Sequence, residues 1–325
     1  VVLVACGADD PDDGAVTSTH VGEDDAGGSD GGEDTDDGEE HGKDDAAEDG
    51  EDGEDDTGSG GEAQRCDPDA PFSTIRWLDE LNALEDDGAF VGAPWPMPDE
   101  LRLWVDVDWQ LLEFSRASVD EPFGNPQPIP GLQHATQNRY AVSLSPDGLR
   151  AYFLQSTPDV FNTEHPEMAT RDSIDLPFSE TWALGLGHPD ARISMVRHAA
   201  GQLFYLQALE GTPTQLLSDD QSDGQSSGTL TLPASEHSVS GYAVTTDALF
   251  LYFTERVEQA EGESSRRTQW TVRESVDDPF LPPIDVDGVA DLVPRFNVRW
   301  VSEDRCVMYG IDSDSTDLLV LERDG

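Results

Sequence analysis

The sequence predicts an all-β protein: a β-propeller of five four-stranded blades, with six as the alternative count, preceded by a disordered acidic tail. Three observations lead there. An eight-residue motif returns about every fifty residues, an aromatic position returns with the same period, and an N-terminal segment without aromatics gives way to a region that holds them all.

The tail comes first along the chain. Residues 1–62 hold 24 Asp and Glu against one basic residue, Lys43, and Gly, Ser and Thr fill most of the rest. Such a segment cannot bury enough apolar surface to offset an ordering cost of about 1–2 kcal/mol per residue, so disorder is expected. From Arg65 onward lie all seven Trp, six Tyr and twelve Phe, enough for one core of about 260 residues. The formal charge of −51 divides into about −23 from the tail and −28 from the remainder. With only 18 Lys and Arg in the chain, nucleic acid is not expected as a partner. A surface so acidic favours cations or basic partners.

The segment Val1-Val2-Leu3-Val4-Ala5-Cys6 is an apolar run with a small residue directly before cysteine. It resembles the lipobox of bacterial lipoprotein signal peptides, which implies that Cys6 is acylated. The division expected from this is residues 1–6 as the end of a lipoprotein signal, 7–64 as a disordered tether and 65–325 as the propeller. Gly7 stands where an Asp acts as an inner-membrane retention signal in some bacteria, which favours the outer membrane. The expected address is the bacterial cell envelope, periplasmic or surface-exposed. No run approaches the ~20 apolar residues of a membrane span, so membrane contact is expected through the lipid alone.

The globular part is organised by its repeat. The octet Arg-x-Ser-Val/Ile-Asp-x-Pro-Phe occurs at Arg116–Phe123, Arg171–Phe178 and Arg273–Phe280, and a weaker copy keeps Arg65, Asp69, Pro71 and Phe72. A copy has decayed within the polar stretch Ser218–Gly228. The second landmark is an aromatic five residues after a turn: Trp104, Tyr152, Tyr205, Tyr252 and Tyr309. Asp99, Asp147, Asp247 and Asp304 hold four of the turns, and Ala200-Gly201 replaces the third. Tyr140, Val142 and Leu144 alternate with Arg139, Ala141, Ser143 and Ser145, the period of a half-buried strand. Pro146-Asp147-Gly148 then turns the chain, with Gly148 at the positive φ of a tight hairpin. A strand ending in Arg follows, as in Leu111–Arg116, Gln269–Arg273 and Leu318–Arg323. A short strand such as Gln127–Leu132 is expected to open the next unit. Trp77–Leu84 is the one stretch with helical spacing. Four strands in each of five units make a propeller, which protects its sheet edges by radial repetition.

The hairpin Ser145-Pro146-Asp147-Gly148-Leu149-Arg150-Ala151-Tyr152-Phe153 and its copy Ser302-Glu303-Asp304-Arg305-Cys306-Val307-Met308-Tyr309 resemble the WD-like repeats of TolB-type propellers, which are widespread in exported bacterial proteins. The resemblance covers residues 65–325. It implies fold rather than function, because propellers host scaffolds, binders and enzymes alike.

If Cys6 carries lipid, Cys66 and Cys306 remain, an even number that suits one disulfide in an oxidising compartment, with two buried free thiols as the alternative. Cys66 falls in the linker entering the first blade and Cys306 past the hairpin turn of the last. A bond between them would staple the ring where a propeller of whole-blade units has no exchanged strand.

The motifs with chemical potential are few. Gly224-Gln225-Ser226-Ser227-Gly228 fits GxSxG but lies in a polar loop, where a nucleophile elbow would need a buried strand before it and a helix after. His165, His188 and His198 have no metal spacing and are expected in loops or at strand edges. Asp312, Asp314 and Asp317 read as a solvated hairpin tip rather than a calcium site. Asp120, Asp175 and Asp277, before Pro-Phe, are expected to cap turns. No catalytic residue, metal site or cofactor is expected. The functional expectation is a non-enzymatic, monomeric envelope lipoprotein whose propeller binds a protein, peptide or glycan. The alternative is a glycan-cleaving enzyme working through the central funnel.

Overall fold

The computed structural model describes residues 66–158, 164–220, 228–232, 237–258 and 264–324. The lipobox with Cys6 and the tether 7–64 lie outside these residues, as do residues 224–227 of the GxSxG pattern.

Strand β1 (Phe72–Trp77) and helix α1 (Asp79–Asp86) precede the first complete blade, β2 (Trp95–Pro96), β3 (Arg102–Val107), β4 (Gln110–Ser115) and β5 (Gly124–Pro128). Blade 2 is β6 (Asn138–Leu144), β7 (Arg150–Ser156), β8 (His165–Thr170) and β9 (Glu180–Ala183). Blade 3 is β10 (Arg192–Ala199), β11 (Gln202–Ala208), β12 (Gln215–Asp219) and β13 (Thr229–Leu230). Blade 4 is β14 (Ser238–Val244), β15 (Phe250–Glu258), β16 (Ser264–Val272) and β17 (Ile284–Asp285). After the short helix α2 (Val289–Leu292), blade 5 takes β18 (Phe296–Val301), β19 (Val307–Asp312) and β20 (Leu318–Arg323) from the C-terminal end. Its fourth strand is β1 from the other end of the described chain, antiparallel to β20 with Ile75 opposite Leu321. Five four-stranded antiparallel sheets thus form the propeller.

The strand exchange corrects the phase of the repeat. Gln127–Leu132 does not open the next unit: β5 is the outermost strand of blade 1, with Gln127 opposite Glu113 and Pro128 opposite Leu112. Each Pro-Phe step therefore leads into the outer strand of its own blade. The copy ending at Phe72 serves blade 5, where the octet's arginine is Arg323 rather than Arg65. The guanidinium lies over the octet's Phe ring at 4.3 Å for Arg116–Phe123, 4.6 Å for Arg171–Phe178, 4.6 Å for Arg273–Phe280 and 4.3 Å for Arg323–Phe72. The first three arginines also donate Nε–H to a carbonyl of the inner hairpin turn, at Glu100, Gly148 and Ala248, each 2.8 Å away. Arg323 donates to Ala70 O instead. In blade 3 the position after the third strand is Asp220, so the decayed copy lacks the cation that pins turn to outer strand.

The aromatic landmark forms the wedge of each blade. Trp104, Tyr152, Tyr205, Tyr252 and Tyr309 lie on the second strands and are all 2 % exposed or less. The turn aspartates fold the hairpins by accepting the backbone N–H two residues on, at 3.0 Å for Asp99, 3.0 Å for Asp147, 2.9 Å for Asp247 and 3.1 Å for Asp304. Gly148 has φ +70°. The simple alternation read along β6 does not hold. A bulge between Tyr140 and Ser143, with Ala141 at φ 54°, buries Arg139 and Ser143 and leaves Tyr140 half-buried. Equivalent shifts interrupt β10, β14 and β18, and a bulge adds the twist that each innermost strand needs beside the axis.

Cys66 and Cys306 are joined by a disulfide with a Cα–Cα distance of 5.7 Å. The premise that the ring had no exchanged strand is corrected: β1 and the disulfide close the same blade. Helix α1 carries Leu81 into the core beside the buried Leu78, and Asn82 exchanges hydrogen bonds with Leu318 N and O. Glu80 accepts Phe123 N at 2.8 Å, tying this helix to the octet of blade 1. Among the described residues no helix is long and apolar enough to cross a membrane.

Candidate functional site

Among the described residues, polar side chains that a ligand could meet collect at the axis of the propeller and in a groove on the face that carries the inner hairpin turns.

The axial residues come from the innermost strands of blades 3 and 5 and from the second strand of blade 1. Arg197 on β10 is 3 % exposed; its Nη1–H reaches Val142 O at 3.4 Å and its Nη2–H reaches Arg299 O at 2.8 Å. Its guanidinium lies 4.2 Å over the ring of Trp95 from blade 1. Arg299, the bulge residue of β18, donates to Met195 Sδ at 2.6 Å and to Ser240 O at 3.4 Å. Burial lowers the pKa of both arginines to about 10. Asp106 on β3 is 1 % exposed and accepts Ala141 N–H at 3.2 Å. Burial pushes its pKa up to about 6, against the backbone hydrogen bonds and the charge of Arg299. Blade 1 makes room for this carboxylate, since a Cβ on Gly92 would lie 1.9 Å from Asp106 Oδ2. Side chains and their carbonyl partners thus occupy the centre.

The groove has a volume of about 960 Å³ and lies chiefly between blades 1 and 2, reaching inward to the hairpin turns of blades 4 and 5. Its inner end is formed by Trp95, Trp300 and Met97, and its outer rim by Pro130, Ile174 and Leu176. Trp300 is held edge-on to the buried Tyr309, with ring centroids 5.6 Å apart. Trp104 donates its indole N–H to Glu113 at 2.7 Å. Six carboxylates line the groove (Glu100, Glu113, Asp147, Asp175, Glu303 and Asp304) against two arginines, Arg102 and Arg171. Glu303 accepts Thr246 N–H at 3.0 Å, and burial raises its pKa. Rim and wall differ in character: Ile174 and Leu176 are 61 % and 49 % exposed, while Glu100 is 5 % exposed.

The residues singled out from sequence are distributed differently. Asp175 lines the groove, whereas the turns carrying Asp120, Asp175 and Asp277 are closed by main-chain bonds such as Leu176 N–H to Ser173 O at 3.1 Å. His165 meets Glu167 at 3.1 Å, and His198 stacks on Tyr152 at 5.7 Å, its pKa lowered by burial. His188 accepts Asp190 N–H at 3.1 Å. Asp312 accepts Asp314 N–H at 3.0 Å at a hairpin tip, and Asp314 pairs with Arg295. Among the described residues no three His, Cys, Asp or Glu are grouped to hold a metal ion. Sequence reading missed the axial trio Asp106, Arg197 and Arg299 and the apolar lining of the groove. The available signal was local: the run Trp95-Pro96-Met97-Pro98 stands where the other blades have a full inner strand.

No family model and no curated protein matches the chain. Similarity to solved structures is distant. An α-L-arabinofuranosidase from Podospora anserina is 12 % identical, with a TM-score of 0.44 over 74 % of this chain and 93 % of that one. A protein assigned as a TolB from Agrobacterium tumefaciens is 11 % identical, with a TM-score of 0.36 over 73 % of this chain and 91 % of that one. An oligogalacturonate lyase is 12 % identical, with a TM-score of 0.39 over 69 % of this chain and 58 % of the lyase, so the chain spans just over half of that protein's length. These similarities carry nothing about activity. The propeller architecture rests on the five sheets themselves.

Proposed function

We propose that the chain is an exported lipoprotein, acylated at Cys6 and held at the outer membrane of a bacterial envelope by the acidic segment 7–64, whose propeller is a non-enzymatic binding scaffold. The observation that carries the scaffold reading is the contrast between the two polar regions. The groove of about 960 Å³ is at the upper end of the size of ligand sites, roughly 300–1,000 Å³, and its lining combines aromatic, proline and aliphatic side chains with six carboxylates and two arginines. The axis, where a funnel enzyme would place its reacting groups, is occupied by Arg197, Arg299 and the buried Asp106. A hydrolase of glycans works with two carboxylates flanking an accessible bond. Export is supported by the disulfide, since such bonds persist in oxidising compartments.

The test is incubation of the full oxidised chain with peptide and glycan arrays, followed by mass spectrometry of the ligands retained. Retention of intact ligand is the expected result; recovery of shortened peptide or glycan overturns the scaffold reading. Palmitate labelling tests the anchor separately, and the label is expected to vanish in Cys6→Ser.

A further inference from the structure

We propose that the groove between blades 1 and 2 binds a cationic peptide segment of a partner protein, with Lys or Arg side chains turned to the carboxylates of the wall and apolar side chains laid on the rim. This proposal rests on the scaffold reading above and names the class of its ligand.

Charge is the first argument. Six carboxylates against two arginines leave the lining at a formal −4, from 2 − 6, and both arginines are already engaged. Arg102 stands 3.8 Å from Asp99, and Arg171 is spent on Gly148 O and the Phe178 ring. A concave surface of one sign with low-dielectric walls focuses its field and concentrates counter-charged ligands. The carboxylates are also fixed in place before a ligand arrives. Asp147 is held by Ser145 Oγ–H and Leu149 N–H, Asp304 by Ser302 Oγ–H and Cys306 N–H, and Glu113 by the Trp104 indole. Asp147 and Glu113 can also accept from an ammonium or guanidinium, because an ionised carboxylate has about four lone-pair sites.

The second argument is the apolar part of the surface, which separates a peptide from a bare cation or a sugar. Ile174 and Leu176 lie in the loop before β9, two of the four most exposed large hydrophobic side chains described. Aliphatic rims match aliphatic side chains. A sugar-binding groove calls for open aromatic faces, and of the three tryptophans lining this one Trp104 is buried, Trp95 has a guanidinium against its ring and Trp300, half-buried, is packed edge-on against Tyr309. A ligand that alternates cationic and apolar side chains satisfies both parts of the lining, and an extended peptide does this by presenting successive residues to opposite sides.

The experiment must separate binding in the groove from unspecific attraction to a chain of net charge −51. The probe is a fluorescein-labelled ten-residue peptide of alternating Lys and Leu with a central Pro, titrated against the full oxidised chain at two salt concentrations. Two double variants each add two positive charges at exposed aliphatic positions: Ile174→Lys with Leu176→Lys on the groove, and Leu230→Lys with Ile284→Lys on outer strands of blades 3 and 4. Both change the net charge equally, from −51 to −49. The expected result is at least tenfold weaker binding for the groove variant, less than a twofold change for the outer-strand variant, and weakening by raised salt. Equal effects of the two variants, or no effect of either, overturn the proposal. Stronger groove-dependent binding of the Glu-for-Lys peptide or of a neutral oligosaccharide overturns the cationic class and leaves the scaffold standing. Cleavage of the probe overturns the scaffold and leaves the class standing.

Discussion

At the scale of single residues, Asp106 is a carboxyl held in an environment far from the one its chemistry favours. A carboxyl buried beside the axis and held by one bulge N–H is less acidic folded than unfolded. The sign follows directly. Between the unfolded value of 3.8 and about 6 the folded chain holds the proton more tightly, so the stability due to this group falls as pH rises through that window. At pH 7 the net cost of the buried charge, with the favourable effect of Arg299 already included, is about 2–3 kcal/mol relative to the neutral acid. Asp106→Asn keeps an acceptor for Ala141 N–H and removes the charge. Urea unfolding at pH 4.5 and 7.5 is expected to show the variant gaining on the natural chain at the higher pH. A difference between the two that does not vary with pH would mean that Asp106 is solvated in the folded state.

The element that repeats is the blade, and its recurring device is the arginine that lies on the octet's Phe and ties the inner turn to the outer strand. Arg273 does this most completely. Besides its contact with Phe280 it donates to Ala248 O at 2.8 Å, Val276 O at 2.8 Å and Gln202 Oε1 at 3.0 Å, the last in blade 3, whose own copy of the motif has Asp220 in place of the arginine. Arg273→Met keeps the apolar stem and removes the donors. A loss of about 2 kcal/mol in chemical denaturation is expected, from hydrogen bonds to a charged group and a cation–π contact. A cost below 0.5 kcal/mol would reduce the motif to a packing signature.

For the whole molecule, what matters is how the ring is held shut. Blade 5 is sewn to the N-terminal side by β1 and by Cys66–Cys306, which are separated by 240 residues in sequence. The two closures are redundant in topology. Phe72 N–H donates to Asp287 O at 3.1 Å, as Phe178 N–H donates to Pro130 O at 3.1 Å in blade 2, so β1 docks as an ordinary outer strand does. The glycine after each of those carbonyls, Gly288 at φ +83° and Gly131 at φ +85°, lies so close that an added Cβ would meet Phe72 O at 2.0 Å and Phe178 O at 1.9 Å. Cys306→Ser is therefore expected to lower the thermal midpoint, by about 2–5 kcal/mol of stability, while leaving the β circular dichroism spectrum unchanged. Complete unfolding on reduction would mean that β1 alone does not close the ring.

The repeat was legible because propeller blades recur in sequence as they recur in space, and the turn aspartates, wedge aromatics and Arg-to-Phe octets are short-range patterns. The α1 segment was legible for the same reason. What the sequence by itself determined is the architecture: a propeller of five or six four-stranded sheets, their hairpin turns, and which residue of each second strand is buried. Only the tertiary structure decided the phase of the ring. Nothing local tells Phe72 that its arginine is Arg323, because that pairing depends on closure of the circle. It alone decided the groove and the axis as well. Ile174 and Leu176, read singly, are apolar residues in a turn that repeats along the chain, and Asp106 is one acid among 69. Their meaning lies in which blades meet, a property of side chains distant in sequence and adjacent only once the sheets have packed.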